Sequence, residues 1–274
     1  MKRSAFLVGV ILLVVAAVTA FAQRGRSSRF DTSQYRNGVP VWETDAEFPT
    51  DVFTFVRIEY DSYGRRGRWG GGWATDFPDS DLNLSFRLQE LTSLKVDPNG
   101  KILRLTDDEL SNFPFLYMIE PGALAFSEDE VVALRQYLLR GGFLMVDDFW
   151  GDYQWENFYR EIKRVFPDRE PKDLELDHEI FRCVYQLKEK PQVPSIHHGL
   201  SGMSYEPNHG PGSEHPHYRA IFDDKGRMMA IICHNTDLGD GWEREGVAES
   251  YFNEFSVKRA YPMGINILFY AMTH

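Results

Sequence analysis

Two adjacent acids, Asp147 and Asp148, stand where a short apolar run stops. Phe143 to Val146 is continuous and apolar, the pattern of a strand buried on both faces. In an open α/β sheet, ligands bind outside the carboxyl ends of the strands, so carboxylates there can serve as acid, base or metal ligand. Neighbouring side chains on a strand point to opposite faces, which puts one of the two in the crevice. The structural alternative stays open: Asp148 caps a helix starting near Asp152, or an acid pairs with Arg57 or another buried cation.

A second group follows another apolar run: His234-Asn-Thr-Asp-Leu-Gly-Asp-Gly-Trp242. Asn235, Asp237 and Asp240 supply oxygens suited to a divalent cation, calcium or magnesium, although the spacing is not that of an EF-hand. As an Asx-rich turn the segment needs no metal. Asp147, Asp237 and Asp240 are the metal candidates. Trp73, Asp76, Glu120, Asn235, Asp237, Asp240 and Trp242 are the ligand-binding candidates, with Asp79 and Asp81 extending an acidic rim. The catalytic candidates are Asp147, Asp148 and His178, the last because Asp177-His-Glu-Ile-Phe181 opens an apolar strand. His197, His198, His209, His215 and His217 invite zinc or copper, but none is spaced i, i+4, so loop composition is the default reading. Arg65, Arg66 and Arg68, with Trp69 and Trp73, form a glycine-rich basic loop suited to an acidic or glycan ligand, or simply to solvent.

The elements positioning these residues alternate. Phe53–Tyr60 reads as a first strand, Leu84, Leu88 and Leu91 as a helix face, and Ile102–Leu105 and Phe115–Ile119 as strands. Ser127-Glu-Asp-Glu130 is a capping box for a helix bearing Val131, Leu134, Tyr137 and Leu138. A helix from about Trp155 to Phe166, a hairpin (Tyr218–Phe222, Met228–Cys233) and an amphipathic helix over Met263–Met272 follow. This rhythm predicts an α/β three-layer sandwich around a mostly parallel sheet.

Residues 1–22 have the basic start, apolar stretch and Ala20-Phe21-Ala22 of a signal peptide cleaved after Ala22, and the segment contacts a membrane lastingly only if uncleaved. Residues 23–50 read as a flexible linker and 51–274 as one domain. Export places the domain in the periplasm or outside the cell. The formal charge of −11 becomes about −13 after cleavage, which disfavours nucleic acid as a partner. Cys183 and Cys233 lie in strand-like apolar runs, as a disulfide or as two buried thiols.

Four segments together resemble the bacterial domain of unknown function 4159 family: Trp73-Ala-Thr-Asp-Phe-Pro-Asp79, Gly141-Gly-Phe-Leu-Met-Val-Asp-Asp148, Cys233 to Trp242, and Met263-Gly-Ile-Asn266. The resemblance implies a class I glutamine-amidotransferase-like, flavodoxin-like fold over most of the mature chain. Related domains are often encoded near MoxR-type ATPases and von Willebrand factor A proteins, which implies an envelope protein partner. Amidotransferases need a cysteine on a strand–helix elbow; here the corresponding strand ends in Asp147-Asp148-Phe149-Trp150. The expectation is a ligand- or protein-binding assembly module without glutaminase activity, or alternatively a carboxylate- or metal-dependent hydrolase.

Overall fold

A computed structural model describes residues 36–44, 51–63 and 72–274. Residues 1–22, read above as a signal peptide, residues 23–35 and 45–50 of the stretch read as a linker, and the arginines of the basic loop with Trp69 lie outside the described residues. No helix among the described residues is long and apolar enough to cross a membrane.

The core is a seven-stranded sheet ordered β2-β1-β3-β4-β7-β6-β5. Its strands are β1 (Val56–Ile58), β2 (Lys101–Leu103), β3 (Phe115–Ile119), β4 (Phe143–Asp147), β5 (Lys172–Asp173), β6 (His217–Phe222) and β7 (Met228–His234). Pairing is parallel from β2 through β7, and β6 runs antiparallel to both its neighbours. The β6–β7 turn is closed by Asp223, whose Oδ1 accepts the Lys225 and Arg227 amides, each at 2.9 Å. Gly226 supplies the left-handed residue that this tight return requires.

Alternation along the central strands divides the core into two layers. Phe115, Tyr117, Ile119, Phe143, Met145 and Ile231 pack in one apolar cluster; Leu116, Met118, Leu144, Val146 and Ile232 pack in the other. The first layer receives α1 (Asp79–Leu91), through Leu84 and Leu88, and the C-terminal helix; the second receives α2 (Glu128–Leu139) and α3 (Gly151–Val165). Asp147 follows Met145 by two residues and so lies on the Tyr117 side.

Local signals set most boundaries. Ser127 and Glu130 form both halves of the capping box of α2. Leu91, expected on the buried face of α1, is about half exposed. The helix expected at Trp155 starts a turn earlier, at Gly151, with Trp150 at its N-cap and no side chain capping it. Asp148 is therefore not a helix cap. The short helices α4 (Ile196–Leu200), α5 (Leu238–Glu243) and α6 (Glu249–Tyr251) follow, and a π-helical segment, Phe252–Ala260, leads into α7 (Tyr261–Thr273). The amphipathic expectation for α7 is corrected: residues 261–268 are all buried, because β-sheet, α1 and α5 enclose it. Cys183 lies in a bend rather than a strand, its Sγ donating to the Asn266 carbonyl at 3.3 Å, and both cysteines are free thiols. Within the stretch read as a linker, Arg36 donates to the Pro98 carbonyl at 2.5 Å and Trp42 Nε1 to that of Val96 at 2.7 Å, so residues 36–44 lie against the domain.

Candidate functional site, an acidic cleft at the carboxyl ends of the strands

A cleft of about 230 Å³ opens beyond β1, β3, β4 and β7. Asp76, Glu120, Asp148, Glu206, Asp237 and Asp240 line it, with Trp150, Gln154, His209 and Arg244. Of five left-handed non-glycine residues described, Asp76, Glu120, Asp148 and Asn235 stand at these strand ends, the fifth being the remote Asn37. Such backbone is costly outside glycine and persists where surrounding bonds impose it.

Those bonds can be traced. Arg57, in β1, donates to the carbonyls of Trp73 and Thr75, each at 2.9 Å, which sets the chain that presents Asp76. Its other nitrogens grip Asp81 at 2.5 and 3.0 Å, so Asp81 is consumed in a buried ion pair. Asp79 accepts from Asn37 and likewise does not join the rim. Glu120 donates its amide to the Asp147 carbonyl at 3.0 Å, and its carboxylate accepts the Gly72 amide. Asp148 donates its amide to the Thr236 carbonyl at 3.1 Å while Oδ1 accepts the Trp150 indole at 3.1 Å.

Asp237 caps α5, its Oδ1 accepting the Asp240 amide at 2.6 Å. Asp240 accepts the Ile196 amide at 2.6 Å and the Tyr251 hydroxyl at 3.2 Å on Oδ2, and Arg244 Nε at 3.0 Å on Oδ1. One oxygen from each of Asp76, Asp237 and Asp240 lies within 4.8 Å of the other two. That spread matches a hard cation holding carboxylate oxygens at about 2.4 Å on opposite sides. Asp76 Oδ2 is buried and has no hydrogen-bond partner.

Among the described residues, burial and neighbouring acids raise several of the cleft carboxyls. Burial, then Asp240 and Glu243, pushes the Asp76 carboxyl well above its usual range against the pull of Arg57. Burial, then Glu120 and Asp76, does the same to Asp148; burial, then Asp148 and Asp76, to Asp237. Glu243 rises to about 7 through burial and Asp240, with Arg244 opposing. Burial would raise Glu206 too, but bonds from His209 and the Ser195 amide outweigh it and hold it below its ordinary value.

Several candidates serve the scaffold instead. Asp147 sits beneath the cleft: its Oδ2 accepts the Gly239 amide at 3.0 Å and the Tyr117 hydroxyl at 3.1 Å, and its Oδ1 is unpartnered. Asn235 is spent on cross-links, accepting the Gly151 amide at 2.8 Å and donating to the carbonyls of Gly212 and His215. Trp242 is buried against Tyr117, with ring centroids 5.9 Å apart, and faces the core. Half-buried Trp73 packs on the second core cluster. His178 opens a 3-10 turn rather than a strand, accepts the Ile180 amide and packs at a tilt against Tyr270, away from the cleft.

Glu206 and His209 were the residues sequence reasoning missed in combination. They come from the irregular connection before β6, where nothing local marks Glu206 as a partner. Gln154 Oε1 accepts the Trp150 amide at 2.8 Å, so its Nε2 faces His209 Nδ1 at 3.1 Å. Nδ1 therefore accepts, and His209 Nε2–H donates to Glu206 at 3.0 Å. The other histidines named above do not line the cleft. Ser195 Oγ lies 2.9 Å from His198 Nδ1, but Glu206 lies 3.9 Å from that same nitrogen, so the three do not form a nucleophile–base–acid relay.

Gly239 lets α5 approach this floor. A Cβ there would lie 2.7 Å from Asp76 Oδ2 and 2.9 Å from the Tyr117 hydroxyl. Gly239→Ala is expected to displace Asp76 and to cost roughly 1–3 kcal/mol by overpacking, read by urea unfolding.

Residues 54–272 match the family model described as Domain of unknown function (DUF4159). The chain belongs to that family. No curated protein matches it.

Proposed function

We propose that this domain is a ligand-binding module of the cell envelope, exported by its N-terminal segment, whose acidic cleft holds a divalent cation on Asp76, Asp237 and Asp240. The observation that carries the reading is the convergence of those three carboxylates, together with the unpartnered buried Oδ2 of Asp76. An all-oxygen set suits calcium, magnesium or manganese better than zinc or copper. The strand order β2-β1-β3-β4 agrees with a flavodoxin-like, class I amidotransferase-like scaffold, and the cleft lies where such sheets bind ligands. The cysteine chemistry of amidotransferases has no support here. Acids occupy the end of β4, and Cys233 is buried inside β7 with its thiol pushed well above its usual pKa by desolvation and Asp147.

Thermal and urea unfolding with calcium, magnesium and manganese tests this. Saturation at about 100 times Kd is expected to add roughly 2.7 kcal/mol. Asp76→Asn and Asp237→Asn should each abolish the gain while remaining folded. No shift with any of the three ions, or a shift retained in both variants, overturns the proposal.

A hydrolase using the same cation is the second reading, favoured by Asp148, which lines the cleft beside the cation cluster and whose carboxyl is pushed above its ordinary range by burial and then by Glu120 and Asp76. Turnover of ester or amide substrates that is lost in Asp148→Asn, with cation affinity kept, would establish it.

A further inference from the structure

Asp240 has one oxygen to offer a cation, and that oxygen already has a positive partner. Its Oδ2 accepts the Ile196 amide at 2.6 Å and the Tyr251 hydroxyl at 3.2 Å, two neutral donors that fill its lone-pair directions. Oδ1 remains, and it accepts Arg244 Nε at 3.0 Å. Arg244 is the one lysine or arginine lining the cleft among the described residues. It is the C-cap of α5, whose N-cap is Asp237. One short helix therefore carries two carboxylates of the cluster and the arginine that faces them.

The geometry of this contact lets it be exchanged. The Asp240 side chain is 5% exposed and that of Arg244 is 37% exposed. Ile196 and Tyr251 hold the carboxylate from the protein side, and the guanidinium lies towards solvent. Glu243 Oε2 is 2.7 Å from the same Nε, so an arginine that leaves Asp240 keeps an acidic neighbour. Burial alone would lower the Arg244 pKa, but Asp240, then Glu243 and Asp76, outweigh it and keep the group charged. Two members of the cluster thus feel its charge. A dication at about 2.4 Å from Oδ1, with Nε still in place, would lie within about 5.5 Å of that nitrogen. Positive centres so close in a partly buried site repel each other strongly.

We infer that Arg244 is a built-in competitor for the cation: it occupies Asp240 Oδ1 in the metal-free cleft, and a divalent ion binds by displacing it. This rests on the cation reading proposed above. In the metal-free protein Arg244 offsets the Asp240 charge. It also raises the ion concentration at which the cleft fills. A singly charged ion only replaces one positive charge with another, so the contact favours divalent over monovalent cations.

Calorimetric titration of the metal-free full chain with calcium, magnesium and manganese tests the inference in wild type, Arg244→Met and Arg244→Lys. Methionine keeps an unbranched stem and brings neither charge nor oxygen. Arg244→Met should bind the ion about fivefold more tightly, the scale of a partly exposed ion pair. Arg244→Lys keeps the charge and should stay nearer wild type. Urea unfolding gives a second readout: Arg244→Met should destabilise the metal-free protein more than the ion-saturated one, by an amount that matches the affinity ratio. Arg244→Ala takes its place if Arg244→Met fails to fold. An ion that binds wild type and binds Arg244→Met no more tightly overturns the inference and leaves the cation site standing. So does an equal gain in the lysine and methionine variants, since the charge would then not be what competes. Binding seen in Arg244→Met alone would sustain both readings. No binding of any of the three ions to any of the proteins removes the cation reading, and the inference with it.

Discussion

Arg57→Met is expected to lose about 3–5 kcal/mol of unfolding free energy, the cost of leaving one member of a buried ion pair uncompensated. Arg57 is fully buried in β1 and Asp81 is nearly so. Desolvation alone would lower the guanidinium pKa, yet Asp81 more than reverses this, and the group is held firmly charged. Removing it strands the Asp81 carboxylate and also takes donors from Ser80 Oγ and from the carbonyls of Trp73 and Thr75. Asp76 follows Thr75 directly, so the cation response should weaken along with stability. The double variant Arg57→Met, Asp81→Leu should recover part of the loss, because no lone charge remains, but not all of it, because the two carbonyls still lack donors. Urea unfolding of the two variants decides the matter. A loss below about 1 kcal/mol in the single variant would show that water reaches Asp81 and that Arg57 does not organise the site.

The coupling between Arg57 and the cleft shows which parts of this site a sequence can reveal. β4 and its terminal acids were legible because burial on both faces leaves a continuous apolar run, and the polarity changes sharply where the strand leaves the sheet. The capping box at Ser127 and the hairpin return at Asp224–Gly226 were legible because their bonds close within four residues, although Asp223 rather than Asp224 accepts those of the return. The Asx-rich turn at Asp237 and Asp240 was legible for the same local reason: one caps the turn that holds the other.

Roles that depend on distant partners were not legible. Asn235 has the composition of a ligand, yet its side chain ties to Gly151, 84 residues away. Trp242 is in a motif of polar residues, but α5 turns its ring onto Tyr117. The Glu206–His209 pair joins the cleft only because the irregular connection before β6 folds over α3, where Gln154 and Trp150 meet it. One signal was available in principle. Asp and Asn tolerate left-handed backbone better than other non-glycine residues, and Asp148 and Asn235 each follow a strand end directly. Glu120 adopts the same conformation without that preference, and only the structure reveals it.

Titration of the cleft leads to the second large effect. With no cation bound, Asp147→Asn is expected to stabilise the protein at pH about 8 relative to wild type by on the order of 4 kcal/mol, and to have little effect near pH about 4. Burial raises the folded-state pKa of Asp147 to about 7, while the Gly239 and Leu238 amides, Tyr117 and the Asp148 amide pull it down. Between the unfolded value and about 7 the native state holds a proton that the unfolded chain has released. Stability from this group is therefore complete below pH about 4 and is lost as pH rises to about 7. Asparagine retains an acceptor for Gly239 and cannot ionise. The wild-type profile alone is not diagnostic, because His234 works in the opposite direction. Burial, then Arg219, depresses that imidazole to about 3, so it adds stability as pH climbs towards the ordinary histidine value. The difference between wild type and Asp147→Asn cancels the His234 contribution and isolates Asp147. Asp76, Asp148 and Asp237 are raised by the same burial and so add to the wild-type decline with rising pH. Saturating calcium should reduce this decline if the proposed cation binds the deprotonated carboxylates that otherwise repel one another. Urea unfolding across pH about 4 to about 8, with and without calcium, measures both effects. A wild-type-minus-variant difference constant across that range would mean that Asp147 is ionised in the fold throughout, with a donor reaching the oxygen that has none among the described residues.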